Sequence, residues 1–201
     1  MTGTSPPARP GLRERKKAHT RATIEDAALR LFLERGYDQV TLDEICEAAM
    51  VSLRTFFRYF TSKEDLVLGR LRDHLGLAER LFLQRAADEP VLDAMRAVIT
   101  VVTRDYSTDP RQQLTRLQLA TTTPALQIGL LGVLSGFERV ICDFAAPRLA
   151  AAGPPHRARL LAAAAVTAFR VALQTWLDTN GTSDLPALFL EDLDALTQGL
   201  R

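Results

Sequence analysis

Ser52, Arg54, Thr55, Arg58 and Tyr59 crowd one short stretch of the chain. Arginine forks onto a guanine edge or a phosphate, and the hydroxyls donate to phosphate oxygens. Cations alternating with hydroxyls make a poor core face and a good nucleic-acid face. Two short helices must position them. In TLDEICEAAMVSLRTFFRYF, residues 41–60, Leu42, Ile45, Cys46 and Ala49 recur at helical spacing, one face of a helix. Val51 and Ser52 interrupt the pattern. Leu53, Phe56, Phe57 and Phe60 then restart it in a new phase. Two amphipathic helices divided by so tight a break must cross as a helix-turn-helix. On the second helix the four apolar residues, Phe57 among them, cover roughly a third of the circumference and face a core, with Arg54, Thr55, Arg58 and Tyr59 opposite.

The flanks extend this unit. Arg9, Arg13, Arg15, Lys16, Lys17 and Arg21 are opposed only by Glu14 in the first 21 positions. A basic arm beside a DNA-reading unit suits phosphate contact; a solvated tail is the plainer alternative. Pro6, Pro7, Pro10, Gly3 and Gly11 predict a disordered start, residues 1–14. A first helix is expected over about 15–35, burying Ile24, Ala28, Leu31 and Phe32 and ending at Gly36, where a positive φ is wanted. Thr41 and Glu44 form a capping box for the second helix, Ser52 caps the third, and Thr61 with Glu64 repeats the capping pattern before the fourth. Ile24, Ala28, Phe32, Leu42, Ile45, Ala49, Leu53, Phe56 and Phe60 are the expected core. Lys63 stands at a helix N-terminus, a placement that suits a phosphate, although a plain exposed lysine has the same sequence.

Composition allows one or two domains in 201 residues, 47% of them hydrophobic. Leu and Ala dominate that share and favour helices. No alternating strand pattern of useful length appears. No charge-free apolar run reaches about 18–20 residues, so no membrane span is expected, and the basic N-terminus lacks the apolar run of a secretory signal. Cys46 and Cys142 read as reduced core residues of a cytoplasmic protein. A net charge of +1 argues nothing by itself.

The run from Gly36 to Val67 resembles the N-terminal signature of TetR-type transcriptional regulators. Gly36, Tyr37, Thr41, Ile45, Ala48, Ala49, Val51, Ser52, Thr55, Phe56, Phe57, Tyr59, Phe60, Lys63 and Leu66 carry the likeness. It implies an all-α protein of about nine helices. A three-helix DNA-binding domain, residues 15–61, would precede a helical ligand-binding and dimerisation domain, residues 62–201. It implies a homodimer, paired through its last two helices, that binds a palindromic double-stranded DNA operator, usually to repress, and lets go when a small molecule binds. DNA contacts are then expected from Lys17, Arg21, Thr41, Ser52, Arg54, Thr55, Arg58, Tyr59 and Lys63. Two residues depart from the signature. Met50 stands where glycine is usual, at a cost of about 1 kcal/mol if the turn needs a positive φ. Phe57 stands where tyrosine is frequent; it is assigned to the core, with contact to a thymine methyl as the alternative.

Beyond residue 75, prolines delimit the segments. Helices are expected at about 62–87, 91–107, 110–121, 124–151, 155–179 and 186–199, with the fourth joining the two halves directly. Gly129, Gly132, Ser135 and Gly136 thin one face of the seventh helix, for close packing or for a ligand. Apolar stripes on the last two helices suit a two-fold mate or an intramolecular core. A pocket among helices five to eight would take its polar groups from Arg104, Tyr106, Gln113, Arg116, Gln118, Thr122, Gln127, Arg170 and Gln174. Its aromatic walls would come from Phe137, Phe144, Phe169 and Trp176. Thr123 to Leu126, the alanine run and Trp176 with Leu177 resemble the acyl-CoA-like ligand-binding type of TetR regulator, which implies a long apolar or drug-like effector. The expected mechanism has the effector wedging helices six to eight while helix four swings as a lever.

Catalysis is not expected. His19, His74 and His156 fall in different segments without zinc-ligand spacing. Phosphate loops, nucleophile elbows and Cys-x-x-Cys pairs are missing from the sequence, and the adjacent acidic pairs point to different sides of their helices. No metal and no cofactor is expected.

Overall fold

The computed structural model describes residues 11–104, 106, 110–150, 153–154 and 156–198. Among these residues there are nine helices and no strand. The chain divides into two compact units, with the boundary between Leu66 and Val67.

The first unit holds α1 (Leu12–Arg35), α2 (Leu42–Ala48) and α3 (Leu53–Phe56), and α4 (Asp65–Leu83) starts within it. α1 begins three residues before the expected Arg15, so residues 12–14 of the expected disordered arm are helical: Glu14 accepts the Gly11 N–H at 3.3 Å. Residues 1–10 of that arm, with Arg9, lie outside the described residues. Gly36 ends α1 with φ 84° and returns its N–H to Phe32 O at 3.0 Å. Tyr37 folds back so that its ring centre lies 5.0 Å from that of Phe32. Ile24, Ala28, Phe32, Tyr37, Val40, Ile45, Cys46, Ala49, Phe56 and Phe60 close the core. Leu53 and Phe57, both expected there, are exposed. α3 spans only four residues before the chain turns, so burial of Phe56 and Phe60 satisfies the core and leaves the other edge of the apolar arc in solvent. The cap of α4 also differs from expectation. Ser62 Oγ accepts the Asp65 N–H at 3.2 Å, and Asp65 accepts the Thr61 N–H at 3.0 Å, so Asp65 takes the role assigned to Glu64.

The second unit contains the rest of α4, α5 (Val91–Val102), α6 (Pro110–Thr122), α7 (Pro124–Leu149), α8 (Arg157–Asp178) and α9 (Leu185–Gln198). The fifth helix stops at Val102, short of the expected 107. α8 packs against both α7 and α9 through a buried alanine row, Ala158, Ala162, Ala165, Ala168 and Ala172. Small side chains at this spacing let helix axes approach, and Trp176 fills the end of the row. In the thin face of α7 Gly136 is tightly packed: a Cβ there would stand 2.5 Å from Leu75 Cδ2 of α4, whereas Gly132 faces open space. Arg96 of α5 pairs with Asp194 of α9. Cys46 is buried, which pushes its thiol pKa up, and Cys142 is half-buried rather than core.

Candidate functional site

The turn between α2 and α3 is built by backbone bonds. The Val51 N–H reaches Cys46 O at 2.9 Å, the Met50 N–H reaches Glu47 O at 3.0 Å, and Met50 takes φ 53°. The turn therefore does demand the left-handed region, and a methionine occupies it at a cost of about 1 kcal/mol. Ser52 Oγ accepts the Thr55 N–H at 3.2 Å and lies 3.1 Å from the Thr55 hydroxyl. Thr41 and Glu44 exchange both bonds of the capping box, at 2.8 and 3.3 Å. Arg35 joins Glu44 at 2.5 Å. These contacts hold the Glu44 carboxyl down at about 2, with the Thr41 N–H the largest cause.

The residues expected to meet DNA fall into two groups. Lys17, Arg54 and Arg58 are exposed, and Arg58 lies 5.1 Å from the half-buried ring of Tyr59. Thr41 and Ser52 are exposed as well, and these and the remaining residues also make contacts within the unit. Thr41, Ser52 and Thr55 form caps. Arg21 bonds Glu25, which is buried, at 3.0 Å and stacks 5.3 Å over Phe60. Lys63 Nζ donates to Tyr37 O at 2.9 Å and Val40 O at 3.0 Å, and stands 4.3 Å over the Tyr37 ring. It staples the α1–α2 connection to the start of α4, and one of its three N–H donors is left over. Burial raises the Tyr37 phenol to about 12, and Glu64 and Asp38 add to the shift.

The second unit encloses an apolar cavity of about 70 Å³. Tyr106, Phe137 and Phe169, three of the residues named from sequence, line it. Trp176 stands behind, edge-on to Tyr106 at 6.0 Å between ring centres. Arg104 is exposed, and Gln127, also exposed, folds its amide onto Thr121 O at 3.0 Å. Gln113 and Arg116 are buried outside the lining, and Arg116 bonds Gln112 at 2.6 Å. The larger part of the wall is Leu71, His74, Ala78 and Phe82 of α4, Met95, Val98, Ile99 and Val102 of α5, and Phe189 of α9. Sequence reasoning missed these by searching for polar residues in helices five to eight. The available signal was a lone histidine in an apolar i, i+3, i+7 stripe, Leu71, His74 and Ala78. His74, buried, lies 5.6 Å from Tyr106 between ring centres. Among the described residues the lining contains no Asp, Glu, Lys or Arg. Among the described residues no three His, Cys, Asp or Glu side chains are grouped to hold a metal.

Comparison with known proteins adds six findings. The family profile described as "Bacterial regulatory proteins, tetR family" matches residues 24–69. The profile described as "MftR C-terminal domain" matches residues 89–201, more than half of the chain. The mycofactocin biosynthesis transcriptional regulator MftR of Mycobacterium tuberculosis is 29% identical over 134 residues, 67% of this chain and 68% of that protein. The HTH-type transcriptional regulator TcmR of Streptomyces glaucescens is 38% identical over 133 residues, and the match spans 61% of this chain and 57% of TcmR. Among solved structures, a TetR-family regulator from Syntrophomonas wolfei superposes with a TM-score of 0.70 at 15% identity, covering 92% of this chain and 98% of that one. Thermus thermophilus FadR, a repressor crystallised with lauroyl-CoA, gives 0.63 at 21% identity, covering 90% and 95%. At these identities the superpositions establish the fold alone.

Proposed function

The chain belongs to the TetR family of transcriptional regulators, and from that premise we propose that it is a homodimeric repressor that binds a palindromic operator in the cytoplasm and is released by a small apolar effector. The observation that carries the DNA-binding half is the capped helix-turn-helix that leaves Arg54 and Arg58 exposed. Lys17 on α1 adds a cation suited to phosphate. Arg21 and Lys63 support the unit from within, and Lys63 has a remaining donor for the DNA backbone.

Pairing through α8 and α9 is supported by Leu160 and Val171 on α8 and Leu196 on α9, all exposed apolar side chains. The effector reading is supported by the cavity. A drug-sized ligand needs about 300–1,000 Å³, so at about 70 Å³ the walls must part to admit one. The lining, uncharged among the described residues, favours an apolar molecule or the apolar portion of a larger one. α4 supplies part of that wall and is the same continuous helix that begins in the DNA-binding unit. Displacement of α4 by an effector would change the spacing of the two recognition helices, which must match the roughly 34–36 Å repeat of adjacent major grooves or its multiples.

Random-site selection on duplex DNA tests the proposal. We expect a palindrome to be enriched by the native chain. Arg54→Ala with Arg58→Ala should abolish its binding while the melting temperature stays unchanged. Unaltered affinity of that double variant at physiological salt would remove the assignment.

A further inference from the structure

The wall of the cavity in the second unit is chemically lopsided. Among the described residues its polar side chains are His74, Thr103 and Tyr106, which are only 5%, 3% and 4% exposed. They gather at one end. The Tyr106 N–H returns to Thr103 O at 3.1 Å, and the Tyr106 ring centre lies 5.6 Å from that of His74 on α4. From His74 the α4 wall continues through Ala78 to Phe82, about 12 Å along the helix axis at about 1.5 Å per residue. The polar end is also firmly backed. Trp176, fully buried, stands edge-on to Tyr106 at 6.0 Å between ring centres. Gly181 takes φ 73° against the indole, where a Cβ would lie 3.1 Å from Cζ2.

The three groups differ in what they offer a ligand. Thr103 spends its hydroxyl proton on Ile99 O at 2.6 Å. The Tyr106 phenol both donates and accepts, and the His74 imidazole has two nitrogens, so one bond held within the fold leaves each a second. Hydrocarbon pressed against this end returns no bond, whereas a hydroxyl or carbonyl does. A carboxylate or phosphate entering the same wall would surrender the hydration of a full charge. We propose that the effector is an uncharged, elongated molecule that carries one hydroxyl or carbonyl at its end. His74 and Tyr106 receive that group, and the hydrocarbon or aromatic body runs along α4 toward Phe82. This rests on the effector reading above and adds to it the one polar end that the molecule must present.

Trp176 is the one tryptophan of the chain, so fluorescence titration of the full chain reports occupancy beside Tyr106. The probes are 4-hexylphenol, hexylbenzene and 4-hexylbenzoate, which share a body and differ at one end. Hexylbenzene is the most hydrophobic of the three and would bind most tightly to a wall without a polar end. We expect 4-hexylphenol to bind about tenfold more tightly than hexylbenzene, the effect of about one buried hydrogen bond, and 4-hexylbenzoate to bind most weakly. Tyr106→Phe and His74→Phe keep an aromatic ring at each position and should lose that preference. Tyr106→Phe, which removes a single oxygen, decides the matter if the histidine variant does not fold. Hexylbenzene binding as tightly as 4-hexylphenol overturns the inference and leaves a wholly apolar effector standing. A preference that persists undiminished in Tyr106→Phe and His74→Phe overturns it too, and tightest binding by 4-hexylbenzoate overturns it in favour of an anionic group. If none of the three alters the fluorescence or the melting temperature, the inference falls together with the effector reading of the cavity.

Discussion

Lys63 turns its charge inward. Two carbonyls and one aromatic face receive a single ammonium, which closes a connection whose backbone acceptors would otherwise depend on water. Hydrogen bonds to charged groups contribute about 1.5–3 kcal/mol each. Partial exposure lowers that figure, so Lys63→Ala is expected to cost about 2 kcal/mol and lower the melting temperature by several degrees. Arg54→Ala should leave it unchanged. An unaltered melt for Lys63→Ala would show that the lysine serves DNA alone. Glu44 gives a pH signature at the same scale. Its carboxyl lies at about 2 against an ordinary 4.5, so the folded state holds fewer protons than the unfolded one. The resulting stabilisation is complete above about pH 4.5 and is lost as pH falls toward 2. Denaturant unfolding of the native chain should weaken across that window, and Glu44→Gln should show a flatter profile there. Parallel profiles would remove the capping box as their cause.

At the scale of the element, the turn between α2 and α3 carries a strain that glycine would not. Met50→Gly is expected to stabilise the chain by about 1 kcal/mol, measured as a shift in the urea midpoint at constant slope. A destabilised variant would mean that the exposed methionine makes contacts that outweigh its φ. The sequence made this conflict visible, because the capping residues Thr41 and Ser52 locate the turn and leave Met50 inside it. Gly36 and the prolines that open α6 and α7 were legible for the same reason: a special backbone requirement names its residue. The orientation of α3 was not legible. Leu53, Phe56, Phe57 and Phe60 span about 100° of a wheel, and a helix of four residues leaves too few positions to show which edge of that arc the core takes. The cavity was hidden differently. Its wall comes from α4, α5, α7, α8 and α9, and most of its residues are ordinary core types whose meeting is set by tertiary packing. A search for polar residues found Tyr106 and passed over His74.

At the scale of the whole molecule, α7 and α8 reach a mean hydropathy of 1.5 over 18 residues, with about a fifth and a third of those windows buried. By length and composition alone each is long and apolar enough to cross a membrane, contrary to the expectation from charge-free runs. Glu138, Arg139 and Asp143 punctuate α7, and Arg170 lies well inside α8. A charge in the middle of a lipid-facing helix costs about 2.5–3.5 kcal/mol, whereas a protein interface accommodates it at its rim. The exposed apolar side chains therefore favour cover by a second copy. Leu160→Glu with Val171→Glu places two carboxylates on the proposed α8 seam. The expected result is a monomer by sedimentation and a loss of operator affinity of at least about a hundredfold, because the second half-site is no longer held at high effective concentration. Ile128→Glu serves as the contrast, since Ile128 is exposed on α7, outside the last two helices, and its variant should remain dimeric with full affinity. If the α8 variant stays dimeric while Ile128→Glu dissociates, the two-fold seam belongs to α7. Two recognition helices would then have to reach their half-sites from a different pairing of the same fold.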